Sequence, residues 1–236
     1  KGLLYAGTEN GVYLSYDDGN NWQPFQLNLP IVPITDLAIK FNTLIASTQG
    51  RSIWMIDDLN PIREMKKELS NKEFHLFEIT DAYRMDGYQN KNPKNAGKNH
   101  PGGVSLYYYV KDKTDSTKVA LSFYDSNGEL IKTYATDAKE KSDKLEVKAG
   151  ANLFNWNMRY ENAKKFDGMI LWWASMAGPK ATPGDYKVVL KVDDVEQESS
   201  FRILKDPRSK STDVDYAAQF NFVKEIRDKV TEAHQT

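Results

Sequence analysis

The stretch Ser15-Tyr16-Asp17-Asp18-Gly19-Asn20-Asn21-Trp22 sits between two short strand-like runs and has the spacing S-x-D-x-G-x-x-W. Each fixed position suits a tight turn. Ser15 and Asp17 can bond neighbouring backbone amides, Gly19 can take a positive φ, and Trp22 can pack under the hairpin. Its chemistry is structural, and no catalytic role is read into Ser15, Asp17, Gly19 or Trp22.

Working outward, residues 1 to about 60 break into short strands at Leu3 to Gly7, Val12 to Tyr16, Trp22 to Gln26, Ile34 to Lys40, Leu44 to Thr48 and Ser52 to Ile56. So many strands in so little chain imply meandering antiparallel sheets. The pattern at Ser15 to Trp22 is that of an Asp-box. Ile34-Thr35-Asp36-Leu37-Ala38-Ile39 and Thr48-Gln49-Gly50-Arg51-Ser52-Ile53-Trp54, followed by Asp57 and Asp58, resemble the closing blade of bacterial sortilin-like, Asp-box (BNR) repeat propellers. That resemblance implies that residues 1–60 are the last blade or blades of a β-propeller. A propeller needs several four-stranded blades, so further blades are expected upstream. The chain opens on Lys1 and runs at once into Leu3-Leu4-Tyr5-Ala6, and it reads as a fragment of a longer protein.

Residues 61–103 read as a connector, with one extended run from Glu73 to Ile79, ending in a stretch from Asn90 to Gly103 rich in Asn, Lys, Gly and Pro. Strand patterning returns from Val104, with runs at 104–110, 118–124, 129–134, 144–147, 152–158, 169–173, 185–192 and 198–204. About seven strands in about 100 residues is the size of an immunoglobulin-like β-sandwich, assigned here to 104–205. Asn127-Gly128 suits a two-residue hairpin loop. Tyr186, Val188, Leu190 and Val192 alternate with Lys187 and Lys191, which marks one buried and one solvated face. Gly150 to Tyr160, Gly178 to Tyr186 and Asp206-Pro207-Arg208 resemble the immunoglobulin-like domain of the flagellar hook-cap protein, a module also appended to sortilin-like propeller proteins of the Bacteroidetes type. In 206–236, Thr212 with Asp215 marks a helix start. Tyr216, Phe220, Val223, Ile226 or Arg227, and Val230 then form one apolar stripe, expected to pair with a further helix. The fold class is therefore all-β, terminal propeller blades followed by an immunoglobulin-like sandwich, with a C-terminal α-helix.

Composition narrows the function. The 32 Lys and Arg nearly cancel 33 Asp and Glu, so no global field recruits nucleic acid. The absence of cysteine removes disulfides, zinc-thiolate sites and thiol nucleophiles. No run approaches the roughly 18 apolar residues of a membrane span. His75, His100 and His234 lack metal-ligand spacing, and no cofactor is expected. Arg51 is read as a strand-end arginine holding loop carboxylates such as Asp57, and Asp57 with Asp58 as turn or capping carboxylates. Trp172 and Trp173 are adjacent, so in a strand only one faces the core; the other is expected to pack against the propeller or linker, with stacking on a sugar or peptide as the alternative. The reading that follows is a non-catalytic structural or protein-binding part of a protein exported to the bacterial envelope or beyond. Its expected partners are upstream blades, downstream helices and a protein or glycan. The alternative is an accessory carbohydrate-binding part of a sialidase-like glycoside hydrolase.

Overall fold

Runs of β-branched and aromatic residues separated by turn formers favour pleated, half-buried strands. The computed structural model, which describes residues 2–65, 69, 71–86, 97, 99–172 and 175–235, is accordingly mostly β-sheet with few helices and one long helix at its C-terminal end. Its contacts divide the chain into two units, Lys1–Lys72 and Glu73–Thr236.

The first unit holds two three-stranded antiparallel sheets. One is β1 (Leu4–Thr8), β2 (Gly11–Ser15) and β3 (Gln23–Pro24), in chain order; the other is β4 (Ile34–Lys40), β5 (Thr43–Thr48) and β6 (Ile53–Ile56), also in chain order. Val12 of β2 and Leu44 and Ala46 of β5 are buried and line one apolar crevice. The opposite side of the second sheet is different. Ala38, Ile45 and Met55 stand opposite one another across its three strands, and Ile53 and Met55 are 67% and 61% exposed. A short helix, α1 (Asn60–Glu64), follows with a proline in its first turn, where a missing N–H costs nothing.

The second unit builds two sheets around one core. The larger has β11 (Leu130–Ala135), β10 (Val119–Tyr124), β13 (Gly184–Val192), β14 (Val195–Leu204) and β8 (Ala82–Tyr83) side by side. The smaller has β12 (Gly150–Trp156), β9 (Val104–Val110) and β7 (Phe74–Leu76). Neighbours are antiparallel except β8, which runs parallel to β14. Alternate residues of both sheets fill the interior: Val104, Leu106 and Tyr108 from β9, Leu121 and Phe123 from β10, and Tyr186, Val188 and Leu190 from β13. Trp156 is wholly buried, stacked on Phe123 at 4.5 Å between ring centres.

Several local expectations change. Within the connector, residues 74–76, inside the run from Glu73 to Ile79 that reads as extended, and residues 82–83 are strands that extend both sheets of the second unit; much of the rest of the connector lies outside the described residues. The run 144–147 makes one isolated bridge, Ala135 to Lys144, in place of a strand. Residues 169–172 form no strand and have no ladder partner. The hairpin at Asp125–Gly128 is not a two-residue loop, because only Gly128 takes a positive φ. Asp125 Oδ1 accepts the amides of Asn127 and Glu129, and the register shifts at Tyr124, the signature of a type I turn with a glycine bulge.

Helix α2 (Asp213–Gln235) starts as expected: Asp215 Oδ2 accepts from the Thr212 amide at 2.7 Å, and the Asp215 amide donates back to Thr212 Oγ1 at 3.3 Å. Its stripe is already covered. Tyr216 is buried, Phe220 meets Tyr160 edge-on at 4.8 Å, and Arg227 donates to the Glu161 carbonyl. Thr231 Oγ1 accepts the Lys164 amide, and His234 bonds the Lys164 carbonyl. The stripe thus runs through Arg227, leaving Ile226 47% exposed, and it lies on residues 160–166 of its own unit, where the sequence suggested a separate helix.

Candidate functional site

In the first unit the turn residues act together. Ser15 Oγ accepts the amides of Asp17 and Gly19, at 3.3 and 2.9 Å, and donates to Asp17 Oδ1 at 2.8 Å. Asp17 also accepts the Asn21 amide at 2.8 Å and the Asn21 side chain at 2.6 Å. These bonds, chiefly those from Asn21, hold the Asp17 carboxyl down at about 2. Gly19 has φ +93°, and a Cβ there would meet the Trp22 ring at 3.7 Å, so the indole lies against the turn and remains 45% exposed. Oδ1 of Asp17 thus takes two bonds and Oδ2 one, all from within the turn.

The other residues singled out from the sequence are dispersed. Arg51 is exposed and makes no ion pair among the described residues; its carbonyl accepts the Trp54 indole N–H at 2.8 Å, so the expected bridge to Asp57 is absent. Asp58 caps α1 by accepting the Asn60 amide at 2.9 Å and also accepts from Asn42. His75 is buried against Phe77, His100 accepts the Gly102 amide, and His234 docks α2. Trp172 is 81% exposed beside Ile170 at 82%, on the long connection from β12 to β13. Trp173 lies outside the described residues. The alternation argument for the pair does not apply, since residues 169–172 are not in a strand.

The sequence reading missed a groove in the second unit. It has a volume of about 810 Å³ and lies between the start of α2 and the segments around Arg84, Arg159 and Lys180. Arg84 donates Nε to the Ala181 carbonyl at 2.8 Å and a terminal nitrogen to Gln219 Oε1 at 3.2 Å, with its guanidinium 4.7 Å from the Tyr216 ring centre. Burial, above all, pushes its pKa down. Arg159 donates to the Gly178 carbonyl at 2.9 Å. Residue 178 must be glycine, because a Cβ would fall 2.2 and 2.3 Å from the carbonyl oxygens of Glu161 and Tyr160. Lys180 reaches Asp86 Oδ1 at 2.7 Å, and Arg208 grips both oxygens of Asp206. The bond and the charge from Lys180 lower the pKa of Asp86. Arg159, Lys180, Asp206 and Arg208 fall within the three runs that carry the second resemblance, but nothing in those runs marks them as one site; they come from segments far apart in sequence, which only folding assembles.

The chain matches no protein-family model and no curated protein.

Proposed function

We propose that this chain is a non-catalytic structural and interaction module of an exported Asp-box propeller protein, with residues 1–60 as propeller blades and 104–205 as an immunoglobulin-like sandwich. The observation that carries the reading is the open face of the β4-β5-β6 sheet. Apolar side chains at Ile53 and Met55 stand in water on one side while Leu44 and Ala46 are buried on the other. Stacked blades bury both faces of an inner sheet, so a further sheet packed on Ala38, Ile45, Ile53 and Met55 removes the exposure. The Asp17 turn supports the same reading, as a brace whose bonds from Ser15 and Asn21 are all local.

For the second unit, the strand order supports the sandwich. The first edge is divided, with β7 in the smaller sheet and β8 beside the last strand of the larger. The Tyr186 hydroxyl also donates to the Thr182 carbonyl at 2.7 Å, a bond back to a nearby upstream carbonyl of the kind found at the corner of such sandwiches. Placement in the bacterial envelope rests on the sequence resemblance. Amide hydrogen exchange tests the proposal, comparing this chain with the polypeptide that carries the upstream blades. Protection at Ile53–Ile56 is expected to rise in the longer form, and equal exchange in both would overturn it.

The second reading, a carbohydrate-binding accessory, is favoured by one observation, the 81% exposure of Trp172. An exposed indole offers a flat apolar face for a sugar ring. Saturable binding on a glycan array, abolished by Trp172→Ala in a folded protein, would move the assignment to that reading.

A further inference from the structure

Four cations and three carboxylates line the groove of the second unit. The carboxylates are each already engaged. Asp206 is held by Arg208 at 3.0 and 2.8 Å, Asp215 by the amide and hydroxyl of Thr212 at 2.7 and 2.8 Å, and Asp86 by Lys180 at 2.7 Å. That leaves Arg84 and Arg159 with no carboxylate partner among the described residues.

Both guanidiniums are nonetheless fixed in place, by neutral acceptors. Arg84 is held by the Ala181 carbonyl, Gln219 and the Tyr216 ring, and Arg159 by the Gly178 carbonyl. Arg159 acts on Arg84 in the same direction as burial, but more weakly than the Asp86 carboxylate, which acts on both guanidiniums in the opposite direction. Asp86 is already bonded to Lys180 and offsets the two guanidiniums only in part, so an arriving anion still meets net positive charge. Because the side chains are already positioned, little further rotamer freedom is lost on binding.

We propose that this groove binds a small organic monocarboxylate, gripped by Arg84 and Arg159. Over the whole groove, four cations against three carboxylates leave one net positive charge, which one carboxylate neutralises, whereas a phosphate dianion would overfill it. Guanidinium forks match the planar, two-oxygen geometry of a carboxylate. The volume of about 810 Å³ suits a small molecule, and Phe220 and Val223 give an apolar body a surface to lie on.

The test is calorimetric titration of the whole chain at low salt with hippurate, with its neutral amide hippuramide, and with inorganic phosphate. Hippurate is expected to bind saturably at one site, with hippuramide and phosphate each weaker by about tenfold or more, the worth of one charge-assisted bond pair. Arg159→Gln is expected to lower hippurate affinity about tenfold, while Lys165→Gln, outside the groove, leaves it unchanged. Hippurate should also shift the nuclear magnetic resonance signals of the Arg84 Nε–H and the Gln219 side-chain amide in the unaltered protein, a readout independent of how any variant folds. Absent hippurate binding, equal affinity for hippuramide, or unmoved Arg84 and Gln219 signals would overturn the proposal. Tighter binding of phosphate would overturn the carboxylate class.

Discussion

Protonating Asp17 removes the acceptor on which the turn of the first unit depends. Its carboxyl titrates at about 2 in the folded chain against an ordinary value of 3.8, so its contribution is complete above pH 4 and is lost as pH falls through 2. Asp17→Ala is therefore expected to lower the thermal midpoint of the first unit at neutral pH, and the difference from the parent should close in scans taken towards pH 2. Lys132 poses the opposite problem, a charge almost wholly buried, paired with Asp143 at 2.8 Å and Glu161 at 3.4 Å. Asp143→Ala strands much of that charge and should cost about 3 kcal/mol in urea unfolding, near the low end for a broken buried pair because Glu161 remains. Lys132→Met removes the charge along with the need for partners and should cost less. The Asp17 turn was legible because all its bonds join residues within a few positions of one another. The Lys132 pair was not, since Asp143 and Glu161 reach it only through folding.

Helix α2 holds to its unit mainly by one line of side chains from Tyr216 to His234. Tyr216 is the buried anchor of that line and also carries the Arg84 guanidinium, so Tyr216→Ala is expected to cost about 3 kcal/mol. Hydrogen exchange should show the first turns of α2 opening before the sheets. The stripe was readable from spacings of three and four, but the surface it covers was not: residues 160–166 have no periodic pattern and are held by backbone bonds such as the Tyr160 amide to the Pro179 carbonyl. Strands show the same division. Those with clear alternation, such as β9 and β13, appear where the sequence places them, whereas Met169 to Trp172 has strand-like composition and no neighbour to pair with. β8, at two residues, is too short to leave any period and exists because β14 offers it an edge.

At the scale of the whole chain, the second unit has its own closed core and the first has a bare apolar face. Residues 73–236 expressed alone are expected to unfold in a single cooperative transition, with the circular dichroism of α2 lost together with the near-ultraviolet signal of Trp156. Residues 1–72 alone are expected to self-associate, measured by sedimentation, through the exposed side of β4-β5-β6. Composition and turn spacing indicated a β-rich chain. The division at Lys72 was hidden because β7 and β8 are only three and two residues long and precede the Asn- and Gly-rich stretch 90–103, so the whole of 61–103 reads as one connector. The parallel pairing of β8 with β14 has a mechanical consequence. A pull applied between Thr80, just before β8, and the end of the chain first peels α2 away, one contact at a time. It then drags β8 and β14 lengthwise past each other, so the Arg84 amide on the Leu204 carbonyl and the Arg202 amide on Asp81 are strained together. Bonds sheared together break at higher force than bonds unzipped in turn, so the second unit should withstand tension along the chain far better than its two-residue strand suggests.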